Sequence, residues 1–197
     1  DVTLYSGDGK KITHFDDRVN VATGEYRAGE LGFAIYEGRS RDYWRTEEFR
    51  FIGRNMVNAD VDGDGRRELV INDGERIHVS RYVGNLLQAV WTSEKEKNQD
   101  LVYLDAADLN KDGIAEIYVT NVWNGKLKSY VLEYRQGEFK KIWKDAPLYL
   151  RIVNLPKRGS VLITQELSRR ESFQGDIRVY ERKGDAYAAG DVLKTPK

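Results

Sequence analysis

Two short acidic segments carry the most specific chemistry in the sequence. In the first, Asp60, Asp62 and Asp64 stand at alternate positions, and Glu68 follows at the ninth place counted from Asp60. In the second, Asp108, Asn110, Asp112 and Glu116 occupy the same places. Oxygen-bearing side chains at alternate positions of a tightly curled loop point to one centre. Gly63, Gly65 and Gly113 permit the left-handed backbone such a curl needs. The seventh residues, Arg66 and Ile114, would add a backbone carbonyl to each set. Calcium takes about six to eight oxygen ligands in flexible geometry, whereas magnesium keeps several of its waters. The expected ion is therefore Ca2+, one in each loop. The sites are not EF-hands, which place a bidentate Glu at about position twelve. Position twelve here is Ile71 in one loop and Val119 in the other, and both read as strand residues. One such loop could be a surface Asp-Gly turn. Two of them, displaced by 48 positions and each followed by a matched apolar run, argue for a built motif.

The elements that must hold these loops are strands. Glu68-Leu69-Val70-Ile71 and Glu116-Ile117-Tyr118-Val119 are short apolar runs rich in β-branched residues, the pattern of buried strands. A second marker repeats alongside. Tyr36, Tyr82, Tyr134 and Tyr180 recur at spacings of 46, 52 and 46, each before a Gly-containing turn and then an aromatic: Trp44, Trp91, Trp143 and Tyr187. Two strands joined by such a turn make a β-hairpin. Tyr5 through Phe15 reads as a further, closer-spaced copy.

A period of about 40 to 50 residues with several strands per unit is the signature of a propeller blade. No stretch keeps a convincing 3.6 period; residues 85–100 read as hairpin plus loop, with a polar connector at 94–98. In the last unit, Leu155-Pro156-Lys157-Arg158-Gly159 takes the place of the acidic loop, between strands expected at 148–153, 161–165 and 176–180. The expected fold is all-β, a propeller-type array of about four blades in one domain, 1–197. Its units are approximately 1–48, 49–97, 98–146 and 147–197.

Composition narrows the function classes. Apolar residues make up 40% of the 197, with 12 Tyr, 6 Phe and 4 Trp, which suits a chain with a sizeable core. Its 32 basic and 32 acidic side chains cancel, against the basic excess of nucleic-acid binders and of polybasic membrane-surface proteins. The local clusters Arg39, Arg41, Arg45 and Arg169, Arg170 read as solvated faces. Without Cys there is no disulfide, thiolate metal site or Cys nucleophile. No apolar run is long enough to span a membrane. The chain opens at Asp1 rather than Met, which reads as a processed or recombinant species; a signal peptide could have been removed, but none is visible.

Catalytic signals are weak. His14 and His78 are the only histidines, and His78, alternating with Ile77 and Val79, is expected to face outward without a nucleophile or acid beside it. No Gly-rich phosphate loop precedes a helix.

Asp60-Val61-Asp62-Gly63-Asp64-Gly65-Arg66-Arg67-Glu68-Leu69 resembles the signature of FG-GAP and VCBS repeat proteins, which form integrin-like β-propellers. Residues 101–108, 116–121 and 129–134 are similar to a bacterial, exported group of them, and the likeness spans about residues 50 to 185. The resemblance implies calcium in the acidic loops, an extracytoplasmic location, and binding or adhesion rather than catalysis. The sequence departs from the family where Asn110 replaces a frequent Asp, and in the first and last units, which lack the acidic loop. Closed propellers commonly have about four to eight blades. The expected units therefore leave room for a longer chain, a second chain completing the ring, or an assembled open stack.

The expected function is a non-catalytic, calcium-stabilised extracellular scaffold that binds a protein or glycan partner, not nucleic acid. The alternatives are a structural subunit of an extracellular assembly and a propeller-based glycan hydrolase or lyase with paired carboxylates. Loops at one face of a propeller carry its contacts. Residues 121–125 and 168–173 read as long connections of this kind, and Trp123, outside the repeat pattern, is the candidate partner-binding aromatic.

Overall fold

The computed structural model describes residues 2–5, 11–15, 49–83, 86–168, 174–184 and 186–193, which divide after Glu48 into two units. In the first unit, β1 (Val2–Tyr5) and β2 (Lys11–Phe15) pair antiparallel, as the Tyr5 to Phe15 pattern predicts. The hairpin expected at Tyr36 and Trp44, the cluster Arg39, Arg41 and Arg45, and residues 169–173 lie outside the described residues.

The second unit is a succession of antiparallel sheets, and the described residues contain no helix. The first sheet is β3 (Asn55–Ala59), β4 (Glu68–Asn72), β5 (Ile77–Val83) and β6 (Leu86–Thr92), paired in chain order. The second is β7 (Leu101–Ala107), β8 (Glu116–Trp123), β10 (Ser129–Arg135) and β11 (Glu138–Ala146), with the short β9 (Lys126–Leu127) on β8. The third is β12 (Leu148–Leu155), β13 (Gly159–Glu166), β14 (Gln174–Lys183) and β15 (Ala186–Val192), again in order. Each is a four-stranded meander of the kind that forms a propeller blade. The fold is all-β, as the repeat predicts. Three such sheets are described, and most of the expected first unit falls outside the described residues.

Apolar packing between successive sheets fixes their order. Val70, Ile77 and Val79 from the first sheet meet Leu101, Leu104, Ile117, Val119, Tyr130 and Leu132 from the second. Tyr118 and Val131 on the other face of the second sheet meet Leu148, Leu150 and Leu162 from the third. Residues alternate between these two cores along β8 because successive side chains of a strand point to opposite faces. Burying each such aliphatic side chain contributes about 1.5–3 kcal/mol, so the stack is held mainly by its sheet-to-sheet interfaces.

The repeated aromatics serve those interfaces. Trp91 packs on Phe139 of the next sheet at 4.7 Å, and Trp143 stacks on Tyr187 of the next at 4.7 Å. Polar ties recur from the second strand of one sheet to the first strand of the next. Asn72 Nδ2 donates to the Leu101 carbonyl at 3.0 Å, and Thr120 Oγ1 donates to the Leu150 carbonyl at 3.1 Å.

Residues 121–125 are not the long connection that the sequence suggests. β8 runs to Trp123, and Asn124 (φ 50) and Gly125 (φ 69) turn tightly into β9. An Asn-Gly pair with both φ positive is the hairpin turn whose twist matches the strands.

Among the described residues no helix is long and apolar enough to cross a membrane.

Candidate metal centre

Both acidic segments sit where an inner strand turns into the second strand of a sheet, between β3 and β4 and between β7 and β8. Their backbone curls in the same way. At the first position, Asp60 accepts the amides of Gly63 at 2.8 Å and Gly65 at 2.9 Å, while Asp108 accepts those of Lys111 at 2.6 Å and Gly113 at 2.9 Å. Asp62 and Asn110 each accept from the residue two further on at 3.2 Å, and Asp64 and Asp112 do the same at 2.9 Å. Left-handed conformations fall at the fourth and sixth positions of both, Gly63 (φ 77) and Gly65 (φ 83) against Lys111 (φ 62) and Gly113 (φ 93). Short Asx hydrogen bonds and Gly thus draw the side-chain oxygens inward by local chemistry alone.

The ninth position closes each loop. Glu68 accepts the Val61 amide at 3.1 Å, and Glu116 accepts the Leu109 amide at 3.1 Å. Both glutamates are 0% exposed. Burial pushes both carboxyl groups above the usual range, opposed by these amides and by neighbouring cations.

Asp60, Asp62 and Glu68 bring ligand oxygens within 4.8 Å of one another, and so do Asp108, Asp112 and Glu116. The donor set is all oxygen, which suits a hard divalent cation. Asp64 is held on an arginine instead, and the Asn110 amide donates to Asp112 Oδ2 at 2.7 Å. Arg66 and Ile114 follow as expected at the seventh position, their amides tied to the fifth. Trp123 is not part of either cluster; it stands half-buried at the opposite end of β8 from Glu116.

Two arginines complete the clusters, and sequence reasoning missed both. Arg81 lies opposite Glu68 in the β4–β5 register. It contacts Asp62, Glu68 at 3.1 Å and Asp64 at 3.1 Å. At the second loop the β8–β10 register ends one pair short of Glu116, beside the buried Glu133, and the cation comes from the next sheet. Arg182 on β14 contacts Glu116 and reaches Glu133 at 3.0 Å, with only 4% of its side chain exposed. Tyr118 donates to Glu116 from the same face at 2.9 Å. Fully buried acids require partners, so Glu68 and Glu116 were the signal that cations must stand nearby.

The two loops also touch. The Ala115 amide donates to the Asp60 carbonyl at 2.8 Å, and a Cβ on Gly63 would lie 2.8 Å from Ile114 Cγ1.

Residues 60–119 match the FG-GAP-like repeat family. The match begins at the first ligand position of one loop and ends in the strand that leaves the other, so the FG-GAP-like segment contains both clusters. No curated protein matches the chain. On a β-sheet scaffold of this kind, the FG-GAP-like segment supplies the ion-sized oxygen clusters, and the neighbouring sheet supplies Arg182.

His78 departs from the expectation that it lacks an acid. Its Nε2 lies 2.8 Å from Asp73, its Nδ1 3.4 Å from Thr92, and its ring stacks on Phe51 at 3.9 Å. The β4–β5 turn folds Asp73 back onto the strand. Burial would raise the Asp73 carboxyl, but the His78 contact and the Glu75 and Arg76 amides hold it below the usual range. With those amides already engaged, the group fastens a turn.

Proposed function

We propose that the chain is a calcium-stabilised, non-catalytic β-propeller scaffold that works outside the cytoplasm and binds a protein or glycan. The observation that carries this reading is that two loops with the same hydrogen-bonded curl, each closed by a buried Glu at the ninth position, both lie inside the FG-GAP-like segment. Asp60, Asp62 and Glu68 would hold one ion, with Asp64 and the Arg66 carbonyl as further ligands. Asp108, Asp112 and Glu116 would hold the other, with Asn110 and the Ile114 carbonyl. A bound calcium ion supplies charge neutralisation and cross-linking of the loop, and no reaction step is assigned to it. Extracellular calcium modules work with dissociation constants of about 10⁻⁴–10⁻³ M, a range that suits loops whose charge is already partly offset by Arg81 and Arg182. The acids that stand out are engaged by loop amides and guanidinium groups, which supports binding over catalysis.

Calorimetric titration with calcium tests the reading. The wild type is expected to take up two ions. Asp62→Ala should weaken the first site about tenfold or more by removing one charged ligand. Asn110→Asp should strengthen the second about threefold to tenfold, because a carboxylate replaces an amide that now donates to Asp112. Titration heats indistinguishable from buffer in the wild type would overturn the proposal.

Trp123 remains the proposed partner contact, since it stands half-buried at the end of β8 beside the exposed Asn124-Gly125 turn. Trp123→Ala is expected to abolish retardation of the protein in gels containing a soluble polysaccharide that slows the wild type. Equal retardation of the two proteins would remove Trp123 from the contact surface.

A further inference from the structure

Opposite the acidic loops, the connector 93–100 crosses beside the β10–β11 hairpin and leaves a cavity of about 190 Å³. Its floor is Tyr130, which is 5% exposed and belongs to the core between the first two sheets. A buried tyrosine hydroxyl ordinarily finds a partner. That of Tyr130 has none among the described residues, yet no sealed side-chain polar atom lacks one, so the hydroxyl opens onto the cavity. Burial and the charge of Glu96 keep this hydroxyl protonated, well above the ordinary tyrosine range. It is therefore a free donor held in a fixed place.

The walls are charged. Lys141 lies 4.3 Å over the Tyr130 ring and pairs with Glu96. Lys128 and Lys144 also line the cavity and have no ion-pair partner among the described residues. Asp145 lines it from a left-handed conformation, φ 52, where β11 bulges against β10. Bulges of this kind re-aim side chains and are frequent next to sites.

We propose that this cavity binds a small hydroxylated carboxylate of the uronic-acid class. Lys128 and Lys144, the ammonium groups not already paired, would meet the carboxylate. The Tyr130 hydroxyl would donate to one ring oxygen or hydroxyl, and Asp145 would accept from another. The volume is below the about 300–1,000 Å³ of drug-sized sites and equals that of about six liquid waters, so one sugar unit fits and a longer chain would extend outward. The proposal rests on the binding-scaffold reading only in needing the chain to carry a ligand. Calcium titration reports on the loops and sugar titration on the cavity, so either can fail alone.

The test is a titration of the full chain with sodium glucuronate, followed by amide shifts in two-dimensional NMR, with glucose and inorganic sulfate as separate arms. Glucuronate is expected to give saturable shifts at Lys128, Tyr130 and Lys144, and glucose little or none. Tyr130→Phe should weaken binding about fivefold to tenfold with unchanged melting, since the hydroxyl it removes bonds nothing in the free protein. Lys144→Glu, altered only at the exposed rim, should do at least the same and stands in should Tyr130→Phe unfold. Absence of saturable shifts, equal binding of glucose, or binding indifferent to both variants would overturn the proposal. Full displacement by equimolar sulfate would overturn it too, by reducing the cavity to an oxyanion contact.

Discussion

Arg182→Met is expected to destabilise the protein by about 3–5 kcal/mol in the absence of divalent ions. The guanidinium is the cation that joins Glu116, 0% exposed, to Glu133, 4% exposed. Removing it leaves two acids close together in a dry interface between sheets, one of which, Glu133, retains Arg135. Breaking a buried pair on one side costs far more than the pair itself contributes, because the stranded charge keeps its desolvation penalty. Urea melts in chelator measure the loss. A second change, Glu133→Gln, should recover part of it by removing one of the like charges. A loss under about 1 kcal/mol would place the contact in the class of exposed ion pairs and sink the assignment. Added calcium should rescue Arg182→Met more than it stabilises the wild type, because Glu116 would then have only the ion to neutralise it.

Calcium removal should have an effect of similar size on the unaltered chain. An ion that binds only the folded state stabilises by about 2.7 kcal/mol per site at a hundredfold excess over its dissociation constant. Two occupied loops then give about 5 kcal/mol. A domain of this size shifts by about 2–4 °C per kcal/mol, so saturating calcium should raise the melting temperature by about 10–20 °C over the chelated protein. Magnesium should do less, because the loops offer many protein oxygens and little room for retained waters. Scanning calorimetry with chelator, calcium and magnesium checks this, and coincident calcium and chelator curves would remove the ion from the account. The raised carboxyl groups of Glu68 and Glu116 fit the same picture, since burial without an ion disfavours their charged forms.

What could be read in the sequence was local. Asp60 to Glu68 and Asp108 to Glu116 announce their loops because every hydrogen bond that curls them joins residues at most seven apart. The Tyr and Trp markers announce hairpins for the same reason, and Trp91 and Trp143 recur because each must meet the next sheet. What escaped depends on register and stacking. Arg81 reaches its loop across the β4–β5 ladder, and Arg182 reaches Glu116 from 66 residues away. His78 met an acid because a turn folded Asp73 back. Trp123 read as loop because the strand continues through polar Asn121 to the Asn-Gly turn. The unbonded hydroxyl of Tyr130 follows from a connector passing beside a bulged hairpin, which no short pattern records.

The hydrogen bond from Ala115 to the Asp60 carbonyl makes the two acidic loops parts of one mechanical object. The donor sits between the seventh and ninth positions of the second loop, and the acceptor belongs to the first position of the first. Ordering either loop fixes one end of a bond that the other must share, so the entropy of ordering the second is already partly spent. Binding of the proposed ions would then be cooperative, and by thermodynamic reciprocity each would strengthen the other by the same factor. The pair would respond to ion concentration more steeply than two separate loops of the same composition.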